Sequence, residues 1–386
     1  FFSRMAEELA RIYSLHDKEA KTEGYSTILY NSFVSKDIST LKMIFDHFVQ
    51  EGQDVSVIKP LISIVIEALQ EQEINVNEEL SLYLINAFNK QNSFEGEEAL
   101  VRENLADSYI KLNDFQSAAL QLKQIRVDSS HRHVADEEKL RIWLKTARCY
   151  LEYEEGTDAE IFTNRASQLI NSSNSPQISL QFRECFSRLM DFKRKFIEAA
   201  RNYFSLACDS LLDEKDRQKY LFNSCCCAIL AKAGIQRSRI ISTLCKDERS
   251  KEYPFYNVLQ AMNSERLVGK SNIQDFVDSL KIHQKALLAD GSTVLDEALM
   301  LHNLYAARKL YYNISINELS SLLEISPQKA ERAAANLIEE KRIEGYIDQV
   351  EHTIFFANNI ESIIHWDQNI QTACSSLNDV LEIIVS

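Results

Sequence analysis

SINELSSLLEISPQKAERAAANLIEEKRIEGYIDQVEHTIFF, residues 315–356, carries the local signals that decide the fold. Ser315-Ile-Asn-Glu318 reads as a capping box, in which the serine hydroxyl and the glutamate carboxylate satisfy each other's backbone donors at a helix start. Leu319, Leu322 and Leu323 then give a short helix one apolar face. Ser326-Pro327 supplies an N-cap and an N1 proline for a second helix, whose face is Ala330, Ala333, Ala334, Leu337 and Ile338. Two short strand candidates follow, Ile343 to Asp348 and Thr353 to Phe356, separated by QVEH. With the long periodic helix from Leu295 to Leu310 in front, the order is helix, helix, helix and β-wing, a winged helix.

Toward the C-terminus, 359–386 reads as one helix, about 42 Å long at 1.5 Å per residue. Ile363, Ile370, Leu377 and Ile384 recur every seven residues, and Ile360, Asp367, Cys374 and Leu381 form a second seam with Asp367 its one defect. That stripe suits a coiled coil or a bundle. It packs either back onto its own winged helix or against helices of other chains.

Toward the N-terminus an internal repeat runs from about residue 100. Ala106 and Tyr109 correspond to Ala147 and Tyr150, then to Phe186 and Leu189, then to Cys226 and Ile229, at steps of 41, 39 and 40 residues. Phe115, Ala118 and Ala119 recur as Phe196, Ala199 and Ala200. Each unit holds one helix, a short polar turn and a second helix with small residues toward its partner. A lone pair cannot bury its apolar face, so the pairs stack. Residues 1–96 read as further short amphipathic helices, one of them led by Pro60. The fold class expected is an all-α solenoid of TPR-like or HEAT-like helix pairs over 1–288, a winged-helix part over 289–357 and a C-terminal helix over 358–386.

Composition agrees. The chain has 8 glycines and 4 prolines in 386 residues, about 3 % where roughly 12 % is usual. That excludes all-β, doubly wound nucleotide-binding and linker-like chains, which need those residues for turns and phosphate loops. The net charge of −14 weighs against a nucleic-acid binder. Eight cysteines are scattered through helical patterns. Cys225, Cys226 and Cys227 are consecutive on a helix that turns about 100° per residue, so they cannot converge on one metal, and the expectation is reduced thiols in the cytoplasm and nucleus. No apolar run is long enough to span a membrane. The opening FFSRMAEELA lacks an initiator methionine and is too polar for a signal peptide, so part of a native N-terminus is expected before it.

A helical-repeat array feeding a winged helix and a last helix resembles the PCI domain, found in subunits of the proteasome lid, the COP-nine signalosome (CSN) and a translation initiation complex. Particular stretches are similar to the signalosome members: YLEYEEGTDAEIFTNRAS (150–167), DFKRKFIEAARNY (191–203), ILAKAGIQRSRIISTLCKDER (229–249), LADGSTVLDEALMLHNLYAARKLYYNIS (288–315) and KAERAAANLIEEKRIEGYIDQVEHTIFF (329–356). The proteasome lid paralogue shares the layout, but KFIEAA, QRSR and ADGS fit the signalosome better. The resemblance runs from about residue 100 to the end, while 1–95 match in helical character alone. It implies a non-catalytic scaffold in the complex that removes a ubiquitin-like modifier from cullin-RING ligases. Its implied partners are other signalosome subunits, among them a zinc isopeptidase pair, and the ligases themselves. No cofactor, nucleic acid or membrane is implied.

No catalytic or metal-binding set is complete in the residues. His131-Arg132-His133 is the one H-x-H, and Leu144 stands where a zinc isopeptidase needs its ligand Asp. Gly269-Lys270-Ser271 imitates a phosphate loop, with Ser264 where the first glycine belongs. Residues 290–357 hold 11 acidic and 6 basic side chains, too acidic for a helix in a DNA groove.

Partner-binding residues are therefore sought at the winged-helix edge (Ile343, Tyr346, Ile347, Ile354, Phe355) and on the C-terminal helix (Ile363, Ile370, Leu377, Leu381, Ile384). The basic clusters Lys193, Arg194, Lys195 and Arg237, Arg239 are either solvated turns paired within the chain or a docking edge for an acidic partner.

Overall fold

The computed structural model describes residues 2–14, 17–35, 37–49, 55–70, 72, 74–89, 94–128, 134–269, 273–287, 291–356, 366 and 370–375. The contacts divide the chain into two units, Phe1–Leu189 and Met190–Ser386. The first holds α1 (Phe2–Tyr13), α2 (Lys18–Val34), α3 (Ile38–Val49), α4 (Val55–Gln70), α5 (Ile74–Phe88), α6 (Glu95–Lys111), α7 (Phe115–Lys123), α8 (Asp136–Glu152), α9 (Gly156–Leu169) and most of α10 (Pro176–Phe192). The second continues with α11 (Phe196–Ala207), α12 (Glu214–Leu230), α13 (Ile235–Lys246), α14 (Tyr256–Asn263), α15 (Gln274–Ser279) and α16 (Val294–Leu310). It ends in β1 (Asn313–Ser315), α17 (Ile316–Leu323), α18 (Pro327–Glu339), β2 (Gly345–Asp348) and β3 (Thr353–Phe356).

The sequence repeat maps onto alternate helices. Its register positions lie on α6, α8, α10 and α12, each 17 residues long. Ala118 and Ala119 on α7, Ala159 and Ala166 on α9, and Ala199 and Ala200 on α11 are all fully buried. Alanines at these positions let backbones approach closely: α6 packs on α7, α8 on α9 and α11 on α12. The Ser224 hydroxyl donates to the Ala200 carbonyl at 2.8 Å, fastening α12 to α11.

The turns inside the pairs are built alike. Asn113, Glu154 and Arg194 take left-handed φ values of 61°, 66° and 58°. The next residue's N–H reaches back five positions: Asp114 to the Tyr109 carbonyl at 3.0 Å, Glu155 to Tyr150 at 2.9 Å and Lys195 to Met190 at 2.9 Å. This is the six-to-one bond of a Schellman helix end. Glu265, Glu324 and Lys341, at φ 51°, 55° and 54°, close three more helices with bonds of 2.8, 3.1 and 2.9 Å. Glycine usually fills this position, so its scarcity here is met by six other residues.

Local signals elsewhere hold in part. The Ser315 hydroxyl accepts from the Glu318 N–H at 3.2 Å, one half of the expected capping box. A complete box opens α16, where Thr293 N–H donates to the Asp296 carboxylate at 3.0 Å and Asp296 N–H donates to the Thr293 hydroxyl at 3.1 Å. Pro60 stands inside α4, which begins a turn earlier than the proline suggested. Of the C-terminal seam, Ile370 is described and exposed. Ile363, Leu377, Leu381 and Ile384 lie outside the described residues.

A buried polar knot sits in the second unit. Asp191, 1 % exposed, accepts from Gln284 Nε2 at 2.9 and 3.0 Å and lies 3.2 Å from His283 Nε2. Burial alone would raise its carboxyl pKa, but His283, Gln284 and Lys281 outweigh that and hold it below the usual value.

Candidate protein interface

The wing is a three-stranded antiparallel sheet in the order β1-β3-β2. Side chains alternate between its faces. Ile314, Ile354 and Ile347 share one row, and Asn313, Phe355 and Tyr346 share the next. The first row turns inward: Ile354 is 0 % exposed, Ile314 is buried and Ile347 packs against the same core, which also takes Leu319, Leu337 and Ile343. The second row turns outward. Tyr346 is 62 % exposed and stacks on Phe355, ring centroids 4.9 Å apart and 11° from parallel. Val350 at the wing tip is 90 % exposed.

This corrects the expected edge. β3 is the central strand, paired on both sides, so Ile354 and Phe355 offer no free backbone edge. Ile343 and Ile354 are core residues. The described edge next to the aromatic pair belongs to β2, which carries Tyr346 and Ile347. Half of an edge strand's backbone groups are unpaired within its own sheet, a template for a strand from another chain. Gly345 is required there. A Cβ at this position would run into the Phe355 carbonyl oxygen.

The basic clusters separate in the same way. Lys193, Arg194 and Lys195 form the exposed α10–α11 turn. Arg194 and Lys195 line a cleft of about 670 Å³ together with Lys232 and the acids Glu198 and Glu297. Arg239 is exposed, whereas Arg237 is 3 % exposed and so does not share a freely solvated turn with it. It shares the apolar face of α13 with Ile241 and Leu244, four and seven positions on.

Arg237 lines a groove of about 660 Å³ between α13 and α16. The strap after α14 forms one wall and is pinned to α16. The Val268 N–H donates to Asn303 Oδ1 and Asn303 Nδ2 donates to the Val268 carbonyl, both at 2.9 Å. His302 Nε2 lies 2.9 Å from the Arg266 carbonyl. Burial first, and the Arg237 charge second, push the His302 pKa down to about 4, so the ring is neutral at pH 7 and donates. Burial brings Arg237 down to about 10, which still leaves it charged at pH 7.

Chemistry of another kind finds little footing. Among the described residues no group of three or more His, Cys, Asp or Glu could hold a metal ion. His131, His133, Lys270 and Ser271 lie outside them. Cys225, Cys226 and Cys227 are buried, and burial pushes all three thiols up, away from the reactive thiolate. Arg332 and Glu339 on α18, and Glu340 that caps it, are all exposed.

Helix pairs followed by a winged helix give the chain the layout of a PCI-domain protein. The family described as "PCI domain" matches residues 271–358, and the family described as "PSMD12/CSN4, N-terminal" matches residues 9–215. Beyond the class, the chain is 37 % identical to the protein named COP9 signalosome complex subunit 4 of Dictyostelium discoideum, over 96 % of this chain and 94 % of that one. It is also 37 % identical to the Arabidopsis thaliana protein of that name, over 98 % and 97 %. For the Drosophila melanogaster protein the identity is 36 %, over 89 % and 85 %. The chain belongs to the COP9 signalosome complex subunit 4 family.

Proposed function

We propose that this chain is a non-catalytic scaffold subunit of the COP9 signalosome, acting by positioning partners in the removal of a ubiquitin-like modifier from cullin-RING ligases. The observation that carries the reading is near-full-length similarity to relatives named for that complex. In this reading 1–288 form the helical arm, 289–357 the winged helix and 358–386 the helix that joins a bundle of sister subunits. The β2 edge, with Tyr346 and Ile347 and with Phe355 stacked behind, joins a neighbouring subunit by strand addition, since it carries an exposed aromatic pair and its backbone edge is unpaired within the sheet. Ile370 and the rest of its seam serve the bundle. The exposed turn Lys193, Arg194 and Lys195, with Arg239, faces an acidic partner such as a cullin-RING component or a sister subunit. The chain works in the cytoplasm and nucleus, where such complexes meet their substrates. Among the described residues no helix is long and apolar enough to cross a membrane.

Affinity purification of the endogenous chain with quantitative mass spectrometry tests this. Stoichiometric recovery of signalosome subunits, including its isopeptidase, is expected. Recovery of proteasome lid subunits without that isopeptidase refutes it and favours the paralogous lid. Tyr346→Glu is expected to reduce recovery of the neighbouring subunit while the melting temperature stays unchanged. A nucleic-acid role would require tight binding to DNA or RNA at physiological salt, which the acidic balance of 290–357 opposes.

A further inference from the structure

The groove between α13 and α16 reverses the sign of a chain whose net charge is −14. Among the described residues Arg237, Arg239, Lys246, Arg308 and Lys309 line it, against the one acid Glu265, which is paired with Lys309. Of these Arg237 is buried, and no carboxylate among the described residues pairs with it. Its Nε has no hydrogen-bond partner among the described residues, and one of its two terminal nitrogens, Nη2, contacts the thioether sulfur of Met262 at 2.8 Å, a weak acceptor. A buried guanidinium with no carboxylate among the described residues is costly to the isolated chain, and a carboxylate brought in by a partner would relieve that cost. The lining is partly apolar: Ile235 is 73 % exposed. A volume of about 660 Å³ exceeds what a lone small anion fills and suits a few side chains of a peptide.

We propose that this groove receives an acidic segment of a partner protein, one carboxylate of which pairs with Arg237. The inference rests on the scaffold reading in taking a protein segment as the occupant. Arg237 supplies the desolvated, specific pair. Arg239 and Lys246 at the rim steer the segment in, and their pairs stay in water and count for less. The strap held by Asn303 and His302 keeps the wall in place before the segment arrives, which lowers the ordering cost of binding.

The test is fluorescence anisotropy on the full chain with a labelled short peptide alternating Glu and Leu, and with its Gln–Leu counterpart. The Glu peptide is expected to bind at least about ten-fold more tightly. Arg237→Gln should abolish that preference, and Arg237→Lys should restore only part of it, because an ammonium keeps the charge and loses the fork. Equal affinity of the two peptides, no binding below about 1 mM, or an unchanged preference in Arg237→Gln overturns the proposal. So does displacement of the peptide by inorganic phosphate at concentrations where acetate has no effect, which would mark a phosphate site instead.

The melting temperature gives a second measurement. Arg237→Met is expected to hold or raise it, since an uncompensated charge leaves the interior. A fall of more than about 4 °C would make Arg237 a structural residue and overturn the proposal. Failure of the scaffold reading shows as missing subunits in the purification, whereas failure here shows in the peptide titration with subunit recovery intact.

Discussion

Replacing Glu154 by glycine is expected to stabilise the first unit, although the substitution removes a side chain and adds no contact. Glu154 sits at φ 66° in the three-residue turn between α8 and α9, held there by the bond from Glu155 N–H to the Tyr150 carbonyl. An L-residue in the left-handed region costs roughly 1–2 kcal/mol. Glycine avoids that cost but gives back roughly 0.4–1 kcal/mol through the greater freedom of the unfolded chain. The net gain is about 0.5–1 kcal/mol, or about 1–4 °C in melting temperature for a unit of this size. Asn113, at φ 61° in the corresponding turn between α6 and α7, lies in the same unit and is the internal control. Asparagine tolerates left-handed backbone well, so Asn113→Gly should change the temperature little. Glu154→Ala separates backbone from charge, because it removes the carboxylate and keeps the Cβ. Scanning calorimetry should rank Glu154→Gly above wild type, with Glu154→Ala and Asn113→Gly near it. A lowered temperature for Glu154→Gly, or an equal gain from Glu154→Ala, would refute the reasoning.

Gly345→Ala should cost about 1–3 kcal/mol in chemical denaturation, because its Cβ meets the Phe355 carbonyl oxygen and β2 must part from β3 to make room. Asp191→Ala should cost about 3 kcal/mol by leaving Gln284, His283 and Lys281 around an empty position. The Asp191 carboxyl titrates below its ordinary value, so its contribution is complete above about pH 4 and is lost as the pH falls through the folded value. The stability gap between wild type and Asp191→Ala should therefore shrink on acidification below pH 4, and a gap that widens there would contradict the assignment. Thiol titration of the native chain should find Cys208 and Cys374 reacting first, while Cys149, Cys185, Cys225, Cys226 and Cys227 wait for unfolding.

Much of this architecture could be read from one sequence because its signals are local. Pro327 at the first helical position, the alanine face of α18 and the recurring alanines of the helix pairs each act within a few residues, and the helices formed where those signals stood, although Ser326 caps α18 by position with no side-chain bond. Strand order is a different kind of fact. β1 is three residues whose last, Ser315, is also the cap of α17, too short to show a period of two, and its pairing with β3 turned an expected edge into the centre of the sheet. The burial of Arg237 had a local signal, its spacing to Ile241 and Leu244, which its charge obscured. The knot of Asp191 with Gln284 spans 93 residues and leaves no trace in either neighbourhood. The cationic groove likewise draws on α13, the strap after α14 and α16, so no single stretch of sequence announces it.

The turns closed by Asn113, Glu154 and Arg194 also bear on how such a chain can change over time. Their geometry is set by a backbone bond, and three different side chain types occupy the same position. Point substitutions there exchange charge and shape at a cost of about 1 kcal/mol. One inserted residue would instead swing the following helix by about 100° and take its alanine face off its partner. Lineages should accordingly vary in the lettering of these joints and keep their length, so that new contacts can be written onto an unchanged spacing.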